Sequence, residues 1–154
     1  MLAKLPALLA LPLALLATTS AWQHMHSNLL FAQLEVELTF WGQERYHPTG
    51  ATRERTGNGT KHLTNTAPHN PDYWTLRAGQ QAWEAWWSES DEAAMAHNGA
   101  AADAQWQALQ YRPAHGQSWQ MMLEYAQRAP SHGVKMKEAQ QRLEGLALYK
   151  REAP

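Results

Sequence analysis

From residue 27 onward the apolar side chains recur three and four positions apart, and nowhere do apolar and polar residues alternate strictly enough to make a half-buried strand. That pattern selects an all-α fold. Leu30, Leu34, Leu38 and Trp41 share one face of a helix predicted over 27–44, while Glu35 and Glu37 point elsewhere. Tyr46-His47-Pro48-Thr49-Gly50 breaks the chain, and a second helix over 51–66 is weakened by Gly57-Asn58-Gly59, which should frustrate regular helix. Asn70-Pro71-Asp72 is a start signal, with a capping amide, proline at the first helical position and an acid in the first turn. The third helix then carries Tyr73, Leu76, Trp83 and Trp87 to a predicted end at Ser88.

Ser88-Glu89-Ser90-Asp91 has the capping-box pattern, and Met95, Gly99, Ala102, Trp106 and Leu109 continue as one seam whose alanine flanks let a neighbouring helix approach closely. Arg112-Pro113 stops it. A fifth helix over 116–128 presents Trp119, Met122, Leu123 and Ala126, and after the Pro130-Ser131-His132-Gly133 turn a sixth shows Met136, Ala139, Leu143 and Leu146. Connections this short favour three antiparallel hairpins, 27–66, 71–111 and 115–149, stacked as a short α-solenoid.

Ahead of this region a short basic start, Met1 to Lys4, precedes the apolar run Leu5 to Ala17. This has the form of an export signal. Thr19-Ser20-Ala21 offers a small-residue cleavage site, whereas counting on through Trp22 brings the stretch near the lower limit of a membrane-spanning helix. An uncleaved signal anchor is the favoured expectation, because Trp22 occupies an interfacial position and no charge follows before Glu35. The chain then divides into an anchor or signal peptide, 1–22, and a helical-repeat domain, 23–150. Lys4 before the run and Glu35 and Glu37 after it orient the chain N-in, C-out. The expected location is single-pass in the inner membrane with the helical domain in the periplasm, or free in the periplasm after cleavage near Ala21.

Thirteen Lys and Arg against 14 Asp and Glu, a net charge of −1, leave no concentration of cations for phosphate binding, so nucleic acid is not an expected partner. The absence of cysteine excludes disulfides, thiolate metal sites and Cys nucleophiles. There is no Gly-rich phosphate loop, nucleophile elbow or His-Glu-x-x-His, and no cofactor or metal is expected. His24 and His26, two apart, point to different helix faces, and His47, His69, His115 and His132 fall in predicted turns. Glu84, Glu89, Asp91 and Glu92 form the densest acidic group, but Asp91 and Glu92 follow a cap where the helix dipole favours them. A hydrolase built on Glu84 or Glu92 would require two carboxylates to converge in a cleft. Trp74, Trp83, Trp86 and Trp87 occupy more than one face of the third helix and cannot all pack against one neighbour. Trp74, Trp86 and Trp87 are therefore the first candidates for an interaction surface, with Tyr46 and His47 second.

Slid against itself by 46 positions, the chain matches Leu63 with Leu109, His69 with His115, Tyr73 with Trp119 and Leu76 with Met122. Ala101, Ala108, Pro113 and Trp119 match the spacing of tetratricopeptide-type hairpins. The stretches Leu38-Thr39-Phe40-Trp41, Tyr46-His47-Pro48-Thr49, Asn70-Pro71-Asp72-Tyr73 and Arg112-Pro113-Ala114 with Trp119 resemble the small VpsP-type exopolysaccharide biosynthesis proteins of bacteria over residues 20–130. The resemblance implies a place beside the glycosyltransferases, polymerase and exporter of a polysaccharide locus, and carries over no catalytic residue. The expected function is a non-catalytic accessory or scaffold acting through protein binding; the alternative is a periplasmic carbohydrate-binding or small polysaccharide-modifying protein.

Overall fold

The computed structural model describes the backbone of residues 5–152 and the side chains of 17–147 apart from residue 20. Its elements are α1 (Leu5–Trp41), α2 (Gly50–Thr66), α3 (Pro71–Trp86), α4 (Asp91–Tyr111), α5 (Gly116–Gln127) and α6 (Gly133–Glu152), with a 3-10 turn at Pro130–His132. No strand occurs among the described residues, and the chain is all-α as its spacing predicts.

Helix starts lie where the sequence supplies side chains for orphan amides. Asn70 Oδ1 accepts the Asp72 N–H at 3.0 Å, Ser90 Oγ accepts that of Ala93 at 3.2 Å, and Thr49 Oγ1 accepts that of Thr52 at 3.2 Å. His115 does the same for α5, its Nδ1 accepting the Ser118 N–H at 3.2 Å. One expectation fails at α2, which runs unbroken through Gly57-Asn58-Gly59. Each glycine costs about 1 kcal/mol of helix propensity relative to alanine, but Gly59 lets α1 come very close. A Cβ there would stand 2.8 Å from Leu34 Cδ1.

Every helix packs on the next in sequence, α3 on α4 most extensively, and α1 also touches α3. Two cores result. Leu34, Leu38, Trp41, Leu63, Tyr73 and Leu76 close the first between α1, α2 and α3. Alanines 78, 101, 102 and 104 with Leu109, Trp119, Met122, Tyr125, Ala126 and Ala139 close the second between α3, α4, α5 and α6. Helix α3 separates them, giving Tyr73 and Leu76 to one and Ala78 to the other.

The repeat is real at its turns but its register is 45, not 46. The caps Ala67 and Arg112 end α2 and α4 by donating to Leu63 O and Ala108 O, and Asn70 and His115 open α3 and α5. Between them the Trp74 indole N–H reaches Pro68 O at 2.7 Å and that of Trp119 reaches Pro113 O, also at 2.7 Å. The paired turns each close a Pro-to-Trp loop, and an offset of 46 would bring Tyr73 rather than Trp74 onto Trp119.

The expected placement as a single-pass inner-membrane protein is corrected. Among the described residues no helix is long and apolar enough to cross a membrane. The side chains of the apolar run up to residue 16 lie outside those described. Beyond it α1 continues without a break across the 22/23 boundary into Gln23, His24, His26, Ser27 and Asn28, which interrupt any longer apolar span.

Candidate functional site

The antiparallel course of the helices brings the ends of α1 and α3 beside the starts of α2 and α4, so four of the five candidate residues collect at one end of the bundle. Their environments differ. Trp86, the last residue of α3, is 75% exposed. Trp87 caps the helix and is half-buried. It stacks on Trp83 at 5.6 Å and 22°, meets Trp41 at 4.9 Å, and carries the Arg53 guanidinium 5.5 Å above its ring. Tyr46 is tied down as well, its hydroxyl donating to Glu37 Oε1 at 2.5 Å, the atom that also receives the Trp41 indole N–H at 2.8 Å. The Glu37 hydrogen bond, aided by burial, raises the Tyr46 pKa above the ordinary phenol value. His47 beside it is exposed.

Below this aromatic end lies a shallow groove of about 400 Å3 between α2, α3 and α4, bordered by polar side chains. Its centre is a relay of side chains. Arg53 pairs with Glu84, its Nε donating to Oε2 at 2.9 Å. Gln80 donates to Glu84 Oε1 at 3.3 Å, Gln81 to Gln80 Oε1 at 2.8 Å, and His97 Nδ1 lies 2.9 Å from Gln81 Oε1. The Glu84 hydrogen bond raises the Arg53 pKa against a smaller desolvation effect. Glu84 is thus a buried ion-pair partner, whereas Glu89, Asp91 and Glu92 are exposed around the α4 start. The structure does not gather these carboxylates in one cleft.

Trp74 stands apart, at the opposite end of α3. That end is fastened by contacts between the two repeat turns: Arg112 Nη1 binds Asp72 Oδ1 at 2.7 Å, and His69 Nδ1 lies 3.0 Å from the Tyr111 hydroxyl. Three of the four turn histidines therefore have structural tasks, His69 on Tyr111, His115 as a cap and His132 as a link to Asp103 at 3.1 Å. Among the described residues no three His, Asp or Glu side chains are grouped to hold a metal ion.

Helix α1 carries a surface that residue-by-residue reading missed. Ser27, Leu34 and Trp41 follow at seven-residue intervals and are buried, while Trp22, Leu29 and Val36 follow at the same interval and are exposed. The two stripes lie five residues apart, about 140° around the helix. Met25 and Phe40 widen the exposed stripe. The face of Leu34 and Trp41 was legible in the sequence as the apolar one; the fold buries it and leaves the second stripe exposed, with Phe40 resting against Tyr46.

No family model, no curated protein and no solved structure matches this chain.

Proposed function

We propose that this protein is a non-catalytic scaffold that works by binding other proteins. The observation that carries the reading is the second apolar stripe of α1, Trp22, Met25, Leu29, Val36 and Phe40, which stands in solvent on the far side of the helix from the core. Contiguous exposed apolar surface on a helical domain is the usual signature of an interface. Trp86 adds an aromatic anchor of the type that dominates binding energetics. In this reading the helical hairpins form a short tetratricopeptide-like stack that holds both surfaces rigidly.

The pathway we assign is exopolysaccharide assembly, beside the polymerase and exporter, on the likeness of the Tyr46-His47-Pro48-Thr49 and Asn70-Pro71-Asp72-Tyr73 turns to VpsP-type proteins. Deleting the gene in its native host should lower surface and secreted polysaccharide, and a plasmid copy should restore it. Plasmids carrying Trp86→Ala, or Leu29→Glu with Val36→Glu, should fail to restore polymer at equal protein levels. Unchanged polymer in the deletion strain would refute the pathway. Full restoration by both variants would refute these surfaces as the working parts.

A further inference from the structure

On the side of α3 away from the first core, α3 and α4, with Lys135 of α6, line an open cleft of about 420 Å3 that includes Trp74, Arg77, Asp103, Ala104 and Gln107. Its charges are unevenly matched. Asp103 receives both Lys135 and His132 on the single oxygen Oδ1, leaving Oδ2 without a partner among the described residues. Burial works to raise the Asp103 pKa, but the Lys135 and His132 hydrogen bonds outweigh it and hold the carboxyl below its usual range, so the group stays ionised. Lys135 is thereby neutralised. Arg77 is not, since this half-buried guanidinium makes no hydrogen bond or ion pair among the described residues.

An unmatched guanidinium at the wall of a cleft is unusual, because it offers five N–H donors in a planar fork. Burial alone lowers the Arg77 pKa, the sign of a cation that has lost water without gaining an anion. The surroundings narrow the anion that would complete it. With Lys135 committed to Asp103, one positive charge is left over, which suits a monoanion better than a doubly charged phosphate. The planar fork matches a carboxylate bidentately. Trp74 has its indole N–H fixed on Pro68 O and lines the same cleft, bringing an aromatic ring on which an apolar face can rest. Ala104 brings only a methyl group to the α4 side, and Gln107 and Asp103, which line the same cleft, supply an amide and a carboxylate able to bond hydroxyl groups.

From this arrangement we infer that the Arg77 cleft binds a carboxylate-bearing sugar, a hexuronate unit, with the carboxylate on Arg77, the pyranose face against Trp74 and the hydroxyls toward Gln107 and Asp103. The site stands independently of the scaffold role, since it lies on neither the α1 stripe nor the Trp86 end.

Isothermal titration calorimetry of the full chain with methyl glucuronide, methyl glucoside and inorganic phosphate tests the assignment. The glucuronide should bind at least about tenfold more tightly than the glucoside, the worth of one charge-assisted pair. It should also outcompete phosphate. Arg77→Gln should abolish the preference while circular dichroism reports an unchanged melt, and Arg77→Lys, which keeps the charge but not the fork, should retain only part of it. Equal affinity for glucuronide and glucoside, or no heat with either, overturns the proposal. So does phosphate binding as tightly as glucuronide, or a folded R77Q variant that keeps the preference. If R77Q fails to fold, the wild-type comparison and R77K still decide.

Discussion

The two cores on either side of α3 solve the same packing problem with opposite materials. The first is filled by large side chains, Leu34, Leu38, Trp41, Leu63 and Tyr73, with Trp83 and Trp87 at its margin. The second is floored by alanines of α4, and its bulk comes from Trp119, Met122 and Tyr125 of the neighbouring α5. Helices separated by alanine approach closely and interlock along their length, as α3 and α4 do, whereas helices separated by leucine and indole stand further off. Close approach to α1 is regained where Gly59 omits a side chain. One core therefore fails by losing volume and the other by gaining it.

The sharpest way to break the comparison is to reverse the materials. Leu63, fully buried, should lose about 3 kcal/mol as Leu63→Ala because the aromatic core cannot collapse around the cavity. Ala108, also fully buried, should lose about 1–3 kcal/mol as Ala108→Leu through overpacking. Denaturant midpoints measure both, and a harmless Ala108→Leu would show that the α4 interface is loose.

Alkali should weaken the second core. Burial, the main cause, with Glu124 adding to it, pushes the Tyr125 phenol up from 10.0 to about 12. Its neutral form is favoured by folding, so this stabilisation is whole below pH 10 and is lost as the pH rises through about 12. Two pH units correspond to about 3 kcal/mol at most. Melting temperature against pH should fall across that window, and Tyr125→Phe should flatten the fall.

Smaller effects test the paired turns. Trp74→Phe and Trp119→Phe each delete an indole N–H held by a proline carbonyl, at a cost of about 1 kcal/mol. Trp119, in the second core, should lose more than half-buried Trp74, because phenylalanine also leaves a gap there and removes a ring that Trp106 meets edge-on. Thermal melts should rank them in that order.

Smallest is a pair of glycine replacements in α2. At Gly57 a Cβ would meet only Gln80 at 3.5 Å, so Gly57→Ala should stabilise by about 0.5–1 kcal/mol through helix propensity. At Gly59 the same gain is opposed by the contact with Leu34, and Gly59→Ala should leave stability unchanged or lower it. Equal stabilisation by both would mean that Leu34 moves aside freely.

The amino-acid order by itself determined the class and the punctuation. Spacing of three and four marked the helices, and Asn70-Pro71-Asp72 and Arg112-Pro113 fixed their ends, because capping and proline geometry act over a few residues. Within Ser88-Glu89-Ser90-Asp91, however, it is Ser90 that caps α4, while Ser88 bonds back to Glu84 O. The order misjudged α2, which stays helical through both glycines, with α1 packed closely against Gly59 and Gln80 of α3 beside Gly57. It set the repeat one residue out of register, because similarity of side chains was aligned where the chain conserves a hydrogen bond from indole to proline carbonyl. It grouped Trp74 with Trp86 and Trp87, which the length of α3 places at opposite ends. Tertiary structure alone decided that Glu84 pairs with Arg53 across 31 residues, and that Arg77 pairs with no carboxylate among the described residues. Local rules act through neighbours along the chain, whereas burial and charge pairing depend on residues that only folding brings together.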